Sequence, residues 1–248
     1  MAKKRISLTL NEELVEKVDE EAEEKGVNRS RMVEDIIESY LSERKISTAV
    51  VFCGDPEAKA LNTWSGKPVL GHVLDDLSEY VSRAILLTGP NREEIESHFG
   101  SRHGEMALEY VSDEPEGTAR ALEKIENRIE SSFLVVNGHV ISGVDIDEML
   151  EVHREEDRIA TMALTTVENP SEYGVARLKG RKILGFEEKP EPGEEPSRLI
   201  NAGTYIFEPE IFERLNRHSI EEEFEKLAEE GKLTGYIYGG KWKDFKQG

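Results

Sequence analysis

The chain is poor in cysteine and in long apolar runs. Its 248 residues include one cysteine, Cys53, which can form neither an internal disulfide nor a cysteine metal cluster. No apolar stretch approaches the ~20 residues that a bilayer-spanning helix needs. The first residues, MAKKRISLTLNEEL, are charged and alternating, unlike a signal peptide. These absences predict a cytoplasmic protein with no membrane partner.

Basic residues are also in short supply. Lys and Arg number 32 against 52 Asp and Glu, and the formal net charge is -20. Taken as an average, this balance argues against nucleic acid, because phosphates would be repelled. The charge is uneven, however: residues 1–45 hold nine basic and twelve acidic side chains, a net of -3, and the rest of the chain carries -17. Local sequence patterns, rather than the average charge, must therefore decide whether nucleic acid is a partner.

Residues 5–10 alternate between polar and apolar side chains, which predicts a half-buried strand. The apolar face carries Ile6, Leu8 and Leu10. Asn11 is a predicted cap of a first helix, Gly26 ends that helix, and Asn28 caps a second one. One strand and two helices cannot bury these apolar faces alone, so the pattern predicts a dimer whose two strands pair as an antiparallel ribbon.

The segments KKRISLTLNEEL and GVNRSRMVEDIIESYL resemble the ribbon-helix-helix family of DNA-binding repressors, of the Arc and MetJ type. The resemblance covers residues 3–44 and implies a DNA-binding and dimerisation domain over residues 1–45. A two-stranded ribbon fits the major groove of double-stranded DNA, and the start of the second helix can grip a phosphate. The candidate DNA-binding residues are Lys3, Lys4, Arg5, Ser7, Thr9, Asn28, Arg29 and Ser30. The alternative is a segment that only dimerises.

From Thr48 onward, apolar runs of strand length alternate with helical patterns. The predicted strands are 48–54, 84–87, 106–111, 133–136 and 160–167. The predicted helices are 68–82, 91–99, 117–130 and 145–156. Strand-helix alternation predicts an α/β domain over residues 48–248, Rossmann-like, with a mostly parallel central sheet. In such sheets ligands bind beyond the carboxyl ends of the strands.

Seven short motifs follow one another in this region: GKPVLGHVLDDL, EPEGTARAL, FLVVNGHV, NPSEYGV, EEKP, NAGTYIFEPEIF and GYIYGGKWKD. Together they resemble the nucleotidyltransferases that join a nucleoside triphosphate to a sugar 1-phosphate. The resemblance covers residues 48–244. Fold alone does not settle activity, so each part of the site has to be compared in turn.

The phosphate loop departs from the family pattern. The resemblance implies a G-x-G-T-R loop after the first strand and a P-K-P lysine shortly afterwards. This chain has Cys53-Gly54-Asp55-Pro56-Glu57-Ala58-Lys59, without the arginine and with two carboxylates. Gly54 and Lys59 are the remaining candidates for ligand binding there, and Lys59 is a candidate catalytic remnant.

The metal site also departs from the family pattern. The resemblance implies a Mg²⁺-binding aspartate after Asn137-Gly138, where this chain has His139, and a second aspartate that matches Asp244. Imidazole is a poor ligand for Mg²⁺. His139 and Asp244 are therefore only candidate metal residues, with a structural histidine as the alternative, and Mg²⁺ is expected only if the domain is active. The family's base-reading glutamine is replaced by Ser112.

The sugar-phosphate side keeps more of the family's residues. The resemblance implies ligand-binding roles for Gly117, Thr118, Tyr173, Gly174, Glu188, Lys189, Asn201 and Gly203. Lysine suits a phosphate, carboxylate and amide suit sugar hydroxyls, and glycine allows close backbone approach. The alternative is that packing and loop geometry alone require these residues.

These patterns favour a transcription regulator: a ribbon-helix-helix dimer fused to a nucleotidyltransferase-like pseudoenzyme that senses a sugar phosphate or nucleotide sugar. The short junction at Lys45–Ser47 is suited to coupling the two domains, and a second interface in the body would make a tetramer. One alternative is an active sugar-1-phosphate nucleotidyltransferase with a DNA-binding or dimerising appendage. Another is an assembly module that uses neither site. No cofactor is required in the first case.

Overall fold

A computed structural model describes residues 6–43, 46–55, 57–112, 117–215 and 219–245, without the side chains of residues 38–43. The chain divides into two compact units, Met1–Lys45 and Ile46–Gly248. None of the described helices combines the length and the apolar character that a membrane crossing requires.

The first unit contains two helices, α1 (Glu12–Glu24) and α2 (Arg29–Glu43). Both predicted caps are in place: the Asn11 side chain accepts a hydrogen bond from the Leu14 N–H at 2.8 Å, and the Asn28 side chain accepts one from the Arg31 N–H at 3.0 Å. Between the helices, Gly26 takes a φ of +66°, a conformation that favours glycine. The buried core of this unit is small and contains Val18, Ala22 and Met32.

The structure differs from the sequence prediction at the start of the chain, where a strand is expected. Residues 6–10 form no strand in the single chain, and Arg5 lies outside the described residues. The side chains of Ile6, Leu8 and Leu10 are 64%, 58% and 40% exposed. A strand needs a neighbour to receive its backbone hydrogen bonds, and the predicted neighbour belongs to a second chain.

Strands and helices alternate in the second unit, as the apolar runs predict. The strands are β1 (Thr48–Phe52), β2 (Thr63–Trp64), β3 (Lys67–Pro68), β4 (Arg83–Leu87), β5 (Arg102–His103), β6 (Met106–Val111), β7 (Phe133–Asn137), β8 (Val140–Ser142), β9 (Ala160–Thr166), β10 (Gly174–Lys179), β11 (Lys182–Glu188), β12 (Leu199–Phe207), β13 (Leu233–Ile237) and β14 (Trp242–Asp244). The helices are α3 (Val69–Leu77), α4 (Arg92–Phe99), α5 (Thr118–Glu123), α6 (Ile146–Glu156) and α7 (Glu221–Glu230).

Within the described residues, ten strands form one sheet in the order β10-β11-β13-β9-β12-β7-β1-β4-β6-β5. The predicted α/β domain with a central sheet is confirmed. Parallel pairing joins β7, β1, β4 and β6, and it joins β9 with β13. Strand β12 runs antiparallel between β7 and β9, and β5, β10 and β11 also pair antiparallel, so the sheet as a whole is mixed rather than mostly parallel.

Helices cover both faces of this sheet. Successive residues of β1 point to opposite sides, so Ala49 and Val51 join the core beneath α3, α4 and α6, and Val50 joins the core beneath α5 and α7. Burial on both faces explains why the central strands read as continuous apolar runs. The carboxyl ends of β1, β4, β6 and β7 consequently meet at one edge, and the candidate site lies there.

Candidate functional site

The loops after β1 and β4 pack against each other at the carboxyl edge of the sheet. A Cβ atom added to Gly89, whose φ is +51°, would lie 2.9 Å from the Gly54 Cα. The Asn91 side-chain amide donates a hydrogen bond to the Asp55 carbonyl oxygen at 2.6 Å. Gly89 and Asn91 were not among the predicted site residues, although the turn residues Gly89-Pro90-Asn91 directly after a strand were a signal for them.

Lys59 is held by carboxylates of its own loop. Its Nζ lies 3.0 Å from the Glu57 Oε2 and 3.6 Å from the Asp55 Oδ2. Bonding to Glu57, and the charge of both acids, raise the pKa of Lys59 despite partial desolvation. The candidate phosphate-binding lysine is therefore engaged within the loop in this structure.

Gly117 and Thr118 open helix α5, as the motif predicts. Gly117 has a φ of +102°, and the Thr118 hydroxyl accepts a hydrogen bond from the Ile220 N–H at 3.0 Å. This bond ties the helix start to the segment before α7. The described contacts do not bring Thr118 to the other candidate residues, and residues 113–116 lie outside the described part of the chain.

The Asn137-Gly138-His139 turn follows β7 and packs on the end of β1. The Gly138 N–H donates to the Phe52 carbonyl oxygen at 2.9 Å, and a Cβ atom on Gly138 would lie 3.0 Å from the Cys53 Sγ. This contact links the β1 loop with the β7 loop. Glycine suits this position because a larger side chain would push the two turns apart by a few tenths of an ångström.

The two candidate metal residues lie together. Strand β14 pairs with β8 so that Asp244 is opposite Val140, and the buried His139 Nε2 lies 3.8 Å from the Asp244 Oδ1. One imidazole and one carboxylate do not match the oxygen ligands that Mg²⁺ prefers. Among the described residues, no three or more His, Cys, Asp or Glu side chains are grouped so as to hold a metal ion.

Tyr173 lies beside strand β14. Its ring packs edge-on against the Trp242 ring at a centroid distance of 5.2 Å. Desolvation first, and then the negative charges of Asp244 and Glu172, raise the pKa of Tyr173. The Trp242 indole in turn donates to the Ala202 carbonyl oxygen at 3.1 Å.

Gly174 and Glu188 are opposite each other on β10 and β11. A Cβ atom on Gly174 would lie 2.2 Å from the Phe186 Cζ and 2.6 Å from the Glu188 Oε2. The next residue, Lys189, is exposed with a φ of +50°, and its N–H donates to the Tyr173 carbonyl oxygen at 3.0 Å. The predicted residues Tyr173, Gly174, Glu188 and Lys189 thus form one contiguous corner.

Gly174→Ala is expected to destabilise the second unit by about 1–3 kcal/mol, because the added methyl group displaces the Phe186 ring or the Glu188 carboxylate. Gly185→Ala on β11 is the matched control. A Cβ atom there meets only the Arg177 side chain, at 3.8 Å, so its stability is expected to stay within about 0.5 kcal/mol of wild type. Urea unfolding measures both variants, and equal stability of the two would contradict this packing.

Asn201 and Gly203 lie at a register shift in β12. The Asn201 Oδ1 accepts a hydrogen bond from the Gly203 N–H at 3.0 Å, and its amide donates to the Tyr205 hydroxyl at 2.7 Å. Gly203 has a φ of +76°, and a Cβ atom there would lie 2.7 Å from the Asn137 Nδ2. The irregularity in β12 therefore places Gly203 against the Asn137 side chain, and sequence periodicity gives no sign of this.

In the first unit, Arg29 of α2 holds helix α1. The Arg29 Nε donates to the Asp19 Oδ1 at 2.6 Å, and a second guanidinium nitrogen bonds the other carboxylate oxygen. These hydrogen bonds lower the pKa of Asp19 and raise the pKa of Arg29. The Arg29 guanidinium is therefore engaged in an internal ion pair, and the Asn28 side chain serves as the helix cap. The contact of a phosphate with the backbone N–H groups of this helix start stays a prediction.

The other candidate DNA-binding residues are exposed or lie outside the description. Ser7, Thr9 and Ser30 are exposed. Lys3, Lys4 and Arg5 fall outside the described residues. Ser7 and Thr9 alternate with the exposed apolar side chains of residues 6–10, as the period-two pattern predicts.

Comparison with known families gives the class of each unit. The model of the nucleotidyl transferase family matches residues 55–245, and the model of the ribbon-helix-helix proteins of the copG family matches residues 4–44. The chain belongs to the nucleotidyl transferase family and carries an N-terminal ribbon-helix-helix domain. The resemblance drawn from the sequence motifs is confirmed for both parts.

Individual curated relatives are similar to most of the second unit. The bifunctional protein GlmU of Methanococcus maripaludis is 35% identical over 190 residues, covering 73% of this chain and 44% of the relative. The mannose-1-phosphate guanylyltransferase catalytic subunit beta of Drosophila pseudoobscura pseudoobscura is 33% identical over 200 residues, covering 76% of this chain and 53% of the relative. The chain spans about half the length of these curated relatives.

Solved structures share the fold. A UDP-glucose pyrophosphorylase complexed with UDP-glucose matches with a TM-score of 0.70 at 21% identity, covering 81% of this chain and 93% of that structure. At this identity the similarity concerns the fold alone.

Proposed function

We propose that the protein is a DNA-binding transcription regulator whose nucleotidyltransferase-like domain senses a sugar phosphate or nucleotide sugar without catalysing its synthesis. The observation that carries the proposal is the fusion itself: one chain joins a ribbon-helix-helix domain to a nucleotidyl transferase domain. The ligand class comes from a relative whose name refers to mannose 1-phosphate.

The DNA-binding part of the proposal is supported by the exposed apolar side chains. Among the described residues, seven large hydrophobic side chains are exposed, and six belong to the first unit: Ile6, Leu8, Leu10, Leu14, Ile36 and Ile37. Such a concentration on about 45 residues indicates an interface. A second copy of the chain would cover it and would supply the partner strand of the ribbon.

Ligand sensing is supported by the contiguous corner described above. Glu188 and Lys189 are joined to Gly174 and Tyr173 by the pairing of β10 with β11 and by the Lys189 N–H. Trp242 contacts the Tyr173 ring and bonds the Ala202 carbonyl oxygen, which is next to Asn201. A phenol, a carboxylate, an ammonium and an amide are suited to a sugar ring with one phosphate.

Loss of catalysis is supported by two features. Phosphoryl transfer depends on positioned positive charge. The positive charge of Lys59 is balanced by the carboxylates of Asp55 and Glu57 in its own loop. His139 stands where the family resemblance implies a metal-binding aspartate.

An active sugar-1-phosphate nucleotidyltransferase is the second candidate. Identity of 35% to a curated relative across most of the second unit favours it. In that case Mg²⁺ is required and the ribbon-helix-helix domain is an appendage. Release of pyrophosphate separates the two candidates, as argued in the Discussion.

Arg5→Ala is expected to weaken binding to a DNA operator by at least about tenfold, because each subunit of the dimer loses a base contact worth about 1–3 kcal/mol. Fluorescence anisotropy with labelled duplex DNA measures it, after an operator is selected from random sequence. Arg92→Ala on α4 removes the same charge from an exposed site in the second unit and serves as the control. Unchanged affinity in Arg5→Ala would show that the ribbon does not read the DNA.

A further inference from the structure

The loop after β1 has a net negative charge at the point where the family resemblance implies a triphosphate. Lys59 contributes one positive charge, and Asp55 and Glu57 contribute two negative ones within 3.6 Å of its Nζ. The side chains of Lys59 and Asp55 are each 20% exposed. Lys59 and Asp55 are therefore partly shielded from water. Charge interactions are stronger in a shielded environment than in water.

The backbone fixes the Asp55 carboxylate, whereas the Glu57 side chain is 74% exposed and is held by its ion pair with Lys59. The Glu57 N–H donates to the Asp55 Oδ1 at 2.8 Å, and Asn91 bonds the Asp55 carbonyl oxygen. The close approach of Gly54 and Gly89 limits movement of the loop further. Lys59 is thus supplied with one counter-anion that the fold holds in place, Asp55, and with a second, exposed one, Glu57.

A triphosphate entering this loop would have to displace both carboxylates from Lys59 or lie beside them. One like-charge contact at 4 Å weakens binding by about fivefold even at the dielectric constant of water. Two carboxylates facing several phosphate charges weaken it further. A ligand with a single phosphate at the exposed Lys189 would not meet this repulsion.

We propose that Asp55 and Glu57 exclude nucleoside triphosphates from the site and make it selective for sugar 1-phosphates. This inference rests on the proposed ligand-sensing function and names its ligand class. The inference also gives the acidic loop a role. A sensor that bound triphosphates as tightly as sugar 1-phosphates would respond to triphosphates instead of to the sugar.

The test compares the full-length protein with the double variant Asp55→Asn/Glu57→Gln. Asparagine keeps the oxygen that accepts from the Glu57 N–H, so the loop is expected to fold as before. The control variant Glu130→Gln/Glu168→Gln removes two exposed carboxylates elsewhere on the second unit and has the same net charge. Isothermal titration calorimetry at constant ionic strength uses GTP, dTTP, glucose 1-phosphate and mannose 1-phosphate.

We expect Asp55→Asn/Glu57→Gln to bind a triphosphate at least about tenfold more tightly than both wild type and the control, with affinity for sugar 1-phosphate changed by no more than about twofold. Equal triphosphate affinity in wild type and the double variant, including no binding to either, would overturn the inference. If neither sugar 1-phosphate binds any variant, the proposed sugar 1-phosphate sensing fails, and the triphosphate comparison still decides the role of the two acids.

Discussion

Leu8→Asp is expected to make the full-length protein monomeric and to lower its DNA affinity by at least about 100-fold. Leu8 is 58% exposed in the single chain and lies between Ile6 and Leu10, which are exposed as well. Burying one leucine contributes about 1.5–3 kcal/mol, and a symmetric dimer buries two. The variant loses this contribution and places two carboxylates in an apolar interface, where unpaired charge is costly.

Sedimentation velocity measures the oligomeric state, and fluorescence anisotropy measures DNA binding. Ser7→Ala is the matched control, because residue 7 lies next to Leu8 on the polar side of the alternation. It is expected to remain dimeric, because it removes one hydroxyl from the polar side and leaves the apolar side intact. A dimeric Leu8→Asp protein with wild-type DNA affinity would show that residues 6–10 form neither the dimer nor the DNA-binding ribbon.

The purified protein is expected to release no pyrophosphate from a nucleoside triphosphate and a sugar 1-phosphate, with or without Mg²⁺. Removing one electrostatic stabiliser of a transition state typically lowers the rate by 10²–10³. Here Lys59 is engaged by Asp55 and Glu57, and His139 and Asp244 offer a poor donor set for Mg²⁺. Together these features place turnover many orders of magnitude below an ordinary enzyme rate of about 10 s⁻¹.

A coupled pyrophosphate assay across the common nucleoside triphosphates and sugar 1-phosphates tests this expectation. Lys59→Met and Asp244→Asn variants identify contaminating enzymes, whose activity they would leave unchanged. Mg²⁺-dependent release that is abolished by either substitution would establish the active nucleotidyltransferase and contradict the pseudoenzyme.

Local features of the fold followed from local sequence. Asn11 and Asn28 cap their helices through side-chain oxygens, and a single residue type within one turn decides such a bond. The strand positions of β1, β4, β6, β7 and β9 followed from apolar runs because both faces of the central sheet are covered. The order of the seven short motifs was sufficient to identify the nucleotidyl transferase family.

Features of the fold that depend on residues distant in the sequence could not be predicted from local sequence. Strand β12 enters the sheet antiparallel between β7 and β9, and Gly203, at its register shift, lies against Asn137. Periodicity within β12 carries no information about which strands are its neighbours. The bond from Asn91 to the β1 loop likewise joins residues 36 positions apart, and propensity cannot reveal it.

The ion-pair partners of the candidate site residues also could not be predicted from the sequence. Arg29 remains a predicted DNA contact through the backbone of its helix start, and its guanidinium bonds Asp19 on the preceding helix. Lys59 was expected to be a ligand remnant, and its pairing with Asp55 and Glu57 depends on the turn that the loop adopts. In both cases the side chain reaches a carboxylate that only the folded backbone brings near.

The most direct test of a ligand-sensing regulator is a DNA titration of the full-length dimer with and without saturating ligand, at fixed salt concentration. Ligands are first chosen by thermal shift from sugar 1-phosphates and nucleotide sugars. We predict that at least one bound ligand changes operator affinity by about fivefold or more, and that DNA changes the affinity for that ligand by the same factor, because coupling is reciprocal. Equal DNA affinity with and without every ligand shown to bind would contradict the account.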